Sequence, residues 1–183
     1  MNKSGKTKNL ILICSGSISA FKAATLTSLA TKNNWNVQCI SSEGSRHFIG
    51  DATLEGLSGN SVLSDMFEPG RALHHISLID WAHLILIYPA SANCIARLRA
   101  GLADNLTGAL FLANNFRKPW WISPAMNSNM LEHPAIIKAL KELEKWGCRI
   151  LPSGKGHLAC GTIGYGRLLE PEEVFVLMGS EEF

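Results

Sequence analysis

The sequence predicts a single α/β domain, a parallel sheet with helices on both faces. Three observations carry that prediction. Short apolar runs of strand length alternate with stretches of helical periodicity along the whole chain. The first two apolar runs end in turns of small polar residues, Ser15-Gly16-Ser17 and Ser42-Glu43-Gly44-Ser45. No linker, low-complexity tract or internal repeat divides the 183 residues, a length that one domain accommodates.

Leu10 to Cys14 reads as the first strand, behind a flexible basic tail over residues 1–9. The tail and the apolar run imitate a secretory signal, but the run is shorter than the ~7–15 apolar residues a signal needs. After the Ser15 turn, Ile18 to Thr31 is expected as a helix with Phe21, Leu26, Leu29 and Ala30 on one face. Val37 to Ser41 is the second strand, and Asp51 to Gly59 a short helix closed by Gly59. Ser61 to Arg71 is irregular, with a turn at Pro69-Gly70. His74 and His75 open a helix, HHISLIDWA, with Ile76, Leu78 and Ile79 facing inward. Leu84 to Tyr88 is wholly apolar and therefore a central strand. Its exit loop, Pro89 to Asn93, leads into a helix from Cys94 to Arg99. Leu106 to Ala113 is a further helix. Trp120, Trp121 and Ile122 form the fourth strand, which Pro124 ends because it offers no N–H to a ladder. A helix starts near Pro134 and runs to Trp146, with Ile136, Ile137, Leu140 and Leu143 inward and Gly147 as its cap. Cys148 to Leu151 is the fifth strand. Pro152 to Arg167 holds five glycines, at 154, 156, 161, 164 and 166, and reads as a mobile loop or hairpin. Glu170 to Leu177 closes the chain as a helix with Pro171 in its first turn.

Composition narrows the function. A chain that is 46% hydrophobic and 17% charged, with a net charge of +2, is a globular protein with no electrostatic case for nucleic acid or an anionic membrane. No run approaches the ~18 apolar residues of a membrane span. The five cysteines, at 14, 39, 94, 148 and 160, form no CxxC, so neither a zinc site nor a thioredoxin motif is expected. Reduced thiols in a cytoplasmic protein are the better reading. Cys14, Cys39 and Cys148 fall in strands and suit a core, whereas Cys160 sits among glycines and polar residues.

In an open α/β sheet the ligand crevice lies beyond the carboxyl ends of the strands. The Ser15 turn opens a helix there, so its free N–H groups and the positive end of the helix dipole suit a phosphate. GxGxxG is absent, against an ordinary dinucleotide site, and no GK[ST] suggests a P-loop. The Ser42 loop opens at the same edge. Two hydroxyl-rich loops there can share one phosphate, or each can simply cap its own helix. Asn127 follows the fourth strand with a donor and an acceptor on one short side chain. Spacing alone favours an ordinary turn asparagine.

Five stretches change those odds. SGSISAFKA, HHISL, YPASANCIARLRAGLADNL, SPAMNSNM and LACGTIGYGR occur in this order. Together they resemble the homo-oligomeric flavin-containing cysteine decarboxylases, over about residues 10–171. The resemblance implies a Rossmann-like, flavodoxin-like domain over residues 10–183 that binds FMN. It assigns Gly16, Ser17 and Ile18 to a first phosphate loop and Ser42, Glu43 and Gly44 to a second. Ser91, Ala92, Asn93 and Cys94 become the flavin-facing loop, with Ala125 against the ring. His75 matches the active-site histidine, since only it precedes the I-x-L register. Asn127 matches the substrate-binding asparagine, and Cys160 the proton donor. His157 matches a substrate contact on a mobile clamp, residues 153–167. The chain departs from the family pattern at Tyr88, Cys94, Leu131 and Thr162, none of which removes a catalytic group.

Within the family the chain is most similar to the branch that converts 4'-phosphopantothenoylcysteine to 4'-phosphopantetheine for coenzyme A. The implied route is oxidation of the cysteine to a thioaldehyde, loss of CO2 to an enethiolate, and reduction by the flavin with a proton from Cys160. The implied assembly is a trimer, or a dodecamer of trimers, with the active site between subunits. The alternatives are a peptidyl-cysteine decarboxylase of lantibiotic-type peptide modification, which the ACG stretch argues against, and a non-catalytic regulatory flavoprotein, which His75 and Asn127 argue against.

Overall fold

The computed structural model describes residues 7–64, 74–157, 161 and 163–181. Five parallel strands make the main sheet in the order β2-β1-β3-β4-β5. They are β1 (Lys8–Cys14), β2 (Trp35–Ser41), β3 (Leu84–Ala90), β4 (Trp120–Pro124) and β5 (Arg149–Ile150). The central strand β3 is buried at every position, and β1 is buried from Leu10 onward. Burying such a Leu or Ile is worth about 1.5–3 kcal/mol each, so these two strands anchor the layer. Register places Leu12 beside both Cys39 and Leu86, and Ile122 beside both Ile87 and Ile150.

Alternation along the strands divides the core in two. Leu10, Leu12, Val37, Cys39, Leu86 and Trp121 face one side. There they meet α1 (Phe21–Lys32) through Leu26, α2 (Asp51–Ser58) through Leu54 and α8 (Pro171–Gly179) through Val174. Ile11, Ile13, Ile40, Ile85, Ile87 and Ile122 face the other. That side is covered by α3 (His74–Trp81), α4 (Ala92–Arg99), α5 (Leu106–Asn114) and α7 (Pro134–Lys145), through Ile79, Ile95, Leu110 and Leu143. The result is the expected three-layer α/β domain.

Several elements differ in detail from the sequence reading. β1 begins at Lys8, inside the stretch assigned to the tail. β3 continues through Pro89, after a cis Tyr88–Pro89 bond, to Ala90. Residues 18–20 form a separate 3-10 turn before α1. Three apolar residues expected inside are on the surface: Phe21, Ile76 and Ile137. Phe21 opens α1 and projects beyond the edge of the packed face. Ile76 yields its place to Leu78 and Ile79, which are 6% and 0% exposed.

Within the stretch expected as a mobile loop or hairpin, β6 (Gly154–His157) pairs antiparallel with β7 (Ile163–Arg167). One short helix was not anticipated, α6 (Ser128–Leu131). The irregular Pro69-Gly70 stretch lies outside the described residues.

Candidate functional site

The exit loops of β1 and β3 leave the sheet side by side but run to opposite edges of it. Such a switch point opens a crevice at the carboxyl ends of the strands. A cavity of about 970 Å³ lies there.

One hydroxyl joins the two loops. Ser15 Oγ donates to the Pro89 carbonyl at 2.8 Å and accepts from the Ser91 N–H at 2.7 Å. The sequence had singled out Gly16, Ser17 and Ile18 but not Ser15, which is 3% exposed and lines the cavity. The second loop meets the first through glycine. A Cβ on Gly16 would stand 3.0 Å from the carbonyl carbon and oxygen of Gly44, a contact that either loop must move to relieve. Ser42 N–H donates to the Cys14 carbonyl at 3.0 Å, which carries the β1–β2 pairing into the loop.

The capping reading of the hydroxyls is observed. Ser17 and Ser42 each cap a 3-10 turn, Ser17 Oγ accepting from Ser19 N–H at 3.3 Å and Ser42 Oγ from Ser45 N–H at 3.2 Å. Ser42, Glu43 and Gly44 also line the cavity with Gly16. Ser17 and Ile18 lie outside its lining, and Ile18 is 62% exposed. On the β3 side Ser91 Oγ caps α4 by accepting from Cys94 N–H at 3.3 Å, and Ser91, Ala92, Asn93 and Cys94 form the adjoining wall. Burial pushes the Cys94 thiol up to about 12, so it stays neutral at physiological pH.

The far wall was not legible beforehand. It is built from Arg97, Asp104, Asn105 and Thr107, with Arg97 ion-paired to Asp104. Asn105 caps α5, accepting from Gly108 N–H at 2.9 Å. A Cβ on Gly108 would stand 1.9 Å from the Leu102 carbonyl oxygen, so only glycine lets that turn close.

Three other predicted residues do not line the cavity. Ala125 is buried just after β4, its N–H donating to the Ala90 carbonyl at 3.0 Å. Asn127 is exposed at the N-cap of α6, where its Oδ1 accepts from Met130 N–H at 2.8 Å. Met130, one turn on, does line the cavity. His75 is half-buried in the first turn of α3 and is not part of this chain's cavity wall. His157 ends β6. Cys160, in the chain joining β6 to β7, lies outside the described residues, as does Thr162.

The residues present suit a phosphorylated flavin. The touching glycines make a cradle that a side chain would fill, with Ser15 and Ser42 beside it in the cavity lining. Ser41, also in the lining, carries a buried hydroxyl with no partner among the described residues. The volume lies at the upper end of the ~300–1,000 Å³ that small-molecule sites span.

Residues 1–179 match the family described as Flavoprotein. The chain belongs to the Flavoprotein family. It is 38% identical over 172 residues to the coenzyme A biosynthesis bifunctional protein CoaBC of Bacillus subtilis, covering 93% of this chain and 42% of that protein. It therefore spans about two fifths of the length of such bifunctional relatives. A probable phosphopantothenoylcysteine decarboxylase of Streptococcus mutans is 36% identical over 170 residues, covering 92% of this chain and 95% of that one. Among solved structures, a PPC decarboxylase mutant complexed with pantothenoylaminoethenethiol superposes with a TM-score of 0.87 at 28% identity, over 95% of this chain and 97% of the other. The FMN binding protein AtHal3 superposes with a TM-score of 0.83 at 29% identity, over 97% and 100%. In this Flavoprotein chain the cavity lies at the β1–β3 switch point. Among the described residues no helix is long and apolar enough to cross a membrane.

Proposed function

We propose that this chain binds FMN and decarboxylates 4'-phosphopantothenoylcysteine to 4'-phosphopantetheine. The observation that carries the reading is the cradle of two touching glycine loops opening one cavity at the switch point of a Flavoprotein chain. The likeness to the decarboxylase of Streptococcus mutans supports it, because that match runs nearly end to end in both proteins.

Bound FMN supplies a hydride acceptor, which turns the cysteine side chain into the electron sink that loss of CO2 requires. Gly16, Ser42, Glu43 and Gly44 hold its phosphate end, and Ser91 to Cys94 its ring end. Asn127 Oδ1 is committed to its helix cap, so the Nδ2 group is the part that holds the substrate carboxylate. A neutral donor orients that carboxylate without stabilising its charge so well that CO2 loss is opposed. His75, through a ring nitrogen, takes the proton of the substrate thiol. Cys160 returns a proton to carbon when the enethiolate is reduced, and His157 contacts the substrate from the same hairpin. Keeping water from the thioaldehyde would fall to the same hairpin if it closes on bound substrate.

His75 serves the cavity of a neighbouring copy in a trimer, or in a dodecamer of trimers, working in the cytoplasm. Exposed apolar residues on the packed pair α3 and α5 support this: Ile76, which follows His75 in α3, is 44% exposed, and Leu112 on α5 is 50% exposed. Light scattering should give a multiple of three chains. Subunits carrying His75→Asn and subunits carrying Asn127→Ala should each be inactive, and mixing them should restore part of the activity. A fully active monomer, or no restoration in mixed oligomers, would contradict a site shared between copies.

A further inference from the structure

The β6–β7 hairpin and the Asn127 loop are joined as one mechanical unit. The Gly166 carbonyl accepts from the Met126 N–H at 3.2 Å, and the Tyr165 carbonyl accepts from Ser128 Oγ at 2.7 Å. The two donors flank Asn127. The backbones approach as closely as they can: Gly166 has φ +117°, and a Cβ there would stand 2.1 Å from the Met126 carbonyl oxygen. The far end of β7 is tied to the body. Glu170 accepts from Lys22 Nζ at 2.9 Å and pairs with Arg167, and Lys22 Nζ also donates to the Leu168 carbonyl at 3.2 Å.

On its other side Asn127 leads to the cavity. Its Oδ1 caps α6 at the Met130 N–H, and Met130 lines the cavity wall. The aim of the Nδ2 donors is therefore the aim of α6. That helix has four residues, too few to hold an orientation by its own hydrogen bonds. The hairpin holds it.

We propose that Ser128 is a positioning residue: its hydrogen bond to the Tyr165 carbonyl lets the seating of the hairpin set the aim of Asn127 Nδ2, and so govern how the substrate carboxylate is held. The inference rests on the reading of Asn127 as the group that holds that carboxylate. Gly166 serves the same coupling by leaving room for it.

The test uses the FMN-loaded oligomer and steady-state kinetics with 4'-phosphopantothenoylcysteine. Ser128→Ala should raise KM on the order of fivefold, the scale of one net hydrogen bond, while kcat and bound flavin stay as in the parent. Ser128→Thr keeps the hydroxyl and should restore KM. Gly166→Ala should keep its flavin and raise KM further, because it forces the hairpin off the loop. An unchanged KM in Ser128→Ala or Gly166→Ala would overturn the coupling. So would failure of the threonine to rescue, or a rise in KM that only parallels lost flavin and lost thermal stability. Asn127→Ala with the parent KM would instead overturn the substrate reading of Asn127, and the coupling with it.

Discussion

Ser15→Ala should loosen the β1–β3 junction by a calculable amount. The Ser15 hydroxyl accepts from Ser91 N–H at 2.7 Å and donates to the Pro89 carbonyl at 2.8 Å. The carbonyl keeps a second donor, since Ser15 N–H reaches it at 3.2 Å. The Ser91 N–H has no such reserve. Leaving a buried donor unpaired costs about 1–3 kcal/mol, and Ser91 is only partly buried, which puts the loss near 1–2 kcal/mol. For a chain of this size each kcal/mol lowers Tm by about 2–4 °C, so a drop of roughly 2–8 °C is expected. The melt is measured on flavin-free protein, because bound FMN would add its own stabilisation and mask the change. FMN titration by fluorescence quenching gives the second reading. A loss of 2 kcal/mol caps the weakening at about 30-fold, since the junction can transmit no more than it stores. An unchanged Tm with unchanged affinity would refute the junction. A loss of affinity far beyond that cap, at unchanged Tm, would mean that Ser15 touches the ligand directly.

Three further outcomes follow from the site. Gly16→Ala should cost most of the FMN affinity, because its Cβ would press on Gly44 at 3.0 Å; flavin retained at parental affinity after gel filtration would contradict the cradle. In flavin-free protein Cys94 should resist iodoacetamide at pH 8 and label only as the pH climbs toward its raised pKa of about 12; peptide mass spectrometry reads this, and fast labelling at pH 8 would contradict it. Glu170 is held below the usual carboxylate range by its hydrogen bond to Lys22, so its pairing stabilises the fold above the unfolded pKa and is lost as pH falls through the folded one; Glu170→Gln should flatten the acid limb of stability against pH, and an unaltered limb would show that the pair contributes nothing there.

The layers of this fold were legible because the strands carry unbroken apolar runs. Leu10 to Cys14 and Leu84 to Tyr88 have the length and apolar content of buried strands, and the helical stretches between them point to parallel order. The loops after β1 and β2 were legible as polar turns because small polar residues directly follow each apolar run, and Gly16, Ser42, Glu43 and Gly44 do line the cavity. α6 was not legible. Four residues hold barely one turn, so Ser128 to Leu131 show no periodicity, and only the cap by Asn127 marks the start. Asp104 and Asn105 fall inside the YPASANCIARLRAGLADNL stretch, but their place at the cavity was hidden because tertiary packing brings them there, and the turn depends on space at Gly108 beside Leu102. Ile76 and Phe21 were misplaced because helical periodicity identifies an apolar stripe without fixing where its edge falls. The junction at Ser15 was missed since one serine in a serine-rich turn has nothing to distinguish it. Its role appears only when the β3 loop arrives beside it.

The most direct test of the central claim is the mass of the product after one anaerobic turnover of 4'-phosphopantothenoylcysteine by the FMN-loaded protein. The account predicts a product lighter by one CO2 and fully saturated, and the unsaturated enethiol in its place from Cys160→Ser, since serine is too weak an acid to stand in for a thiol of pKa ~8.5. A yellow, FMN-loaded protein that returns the substrate at its original mass would contradict it.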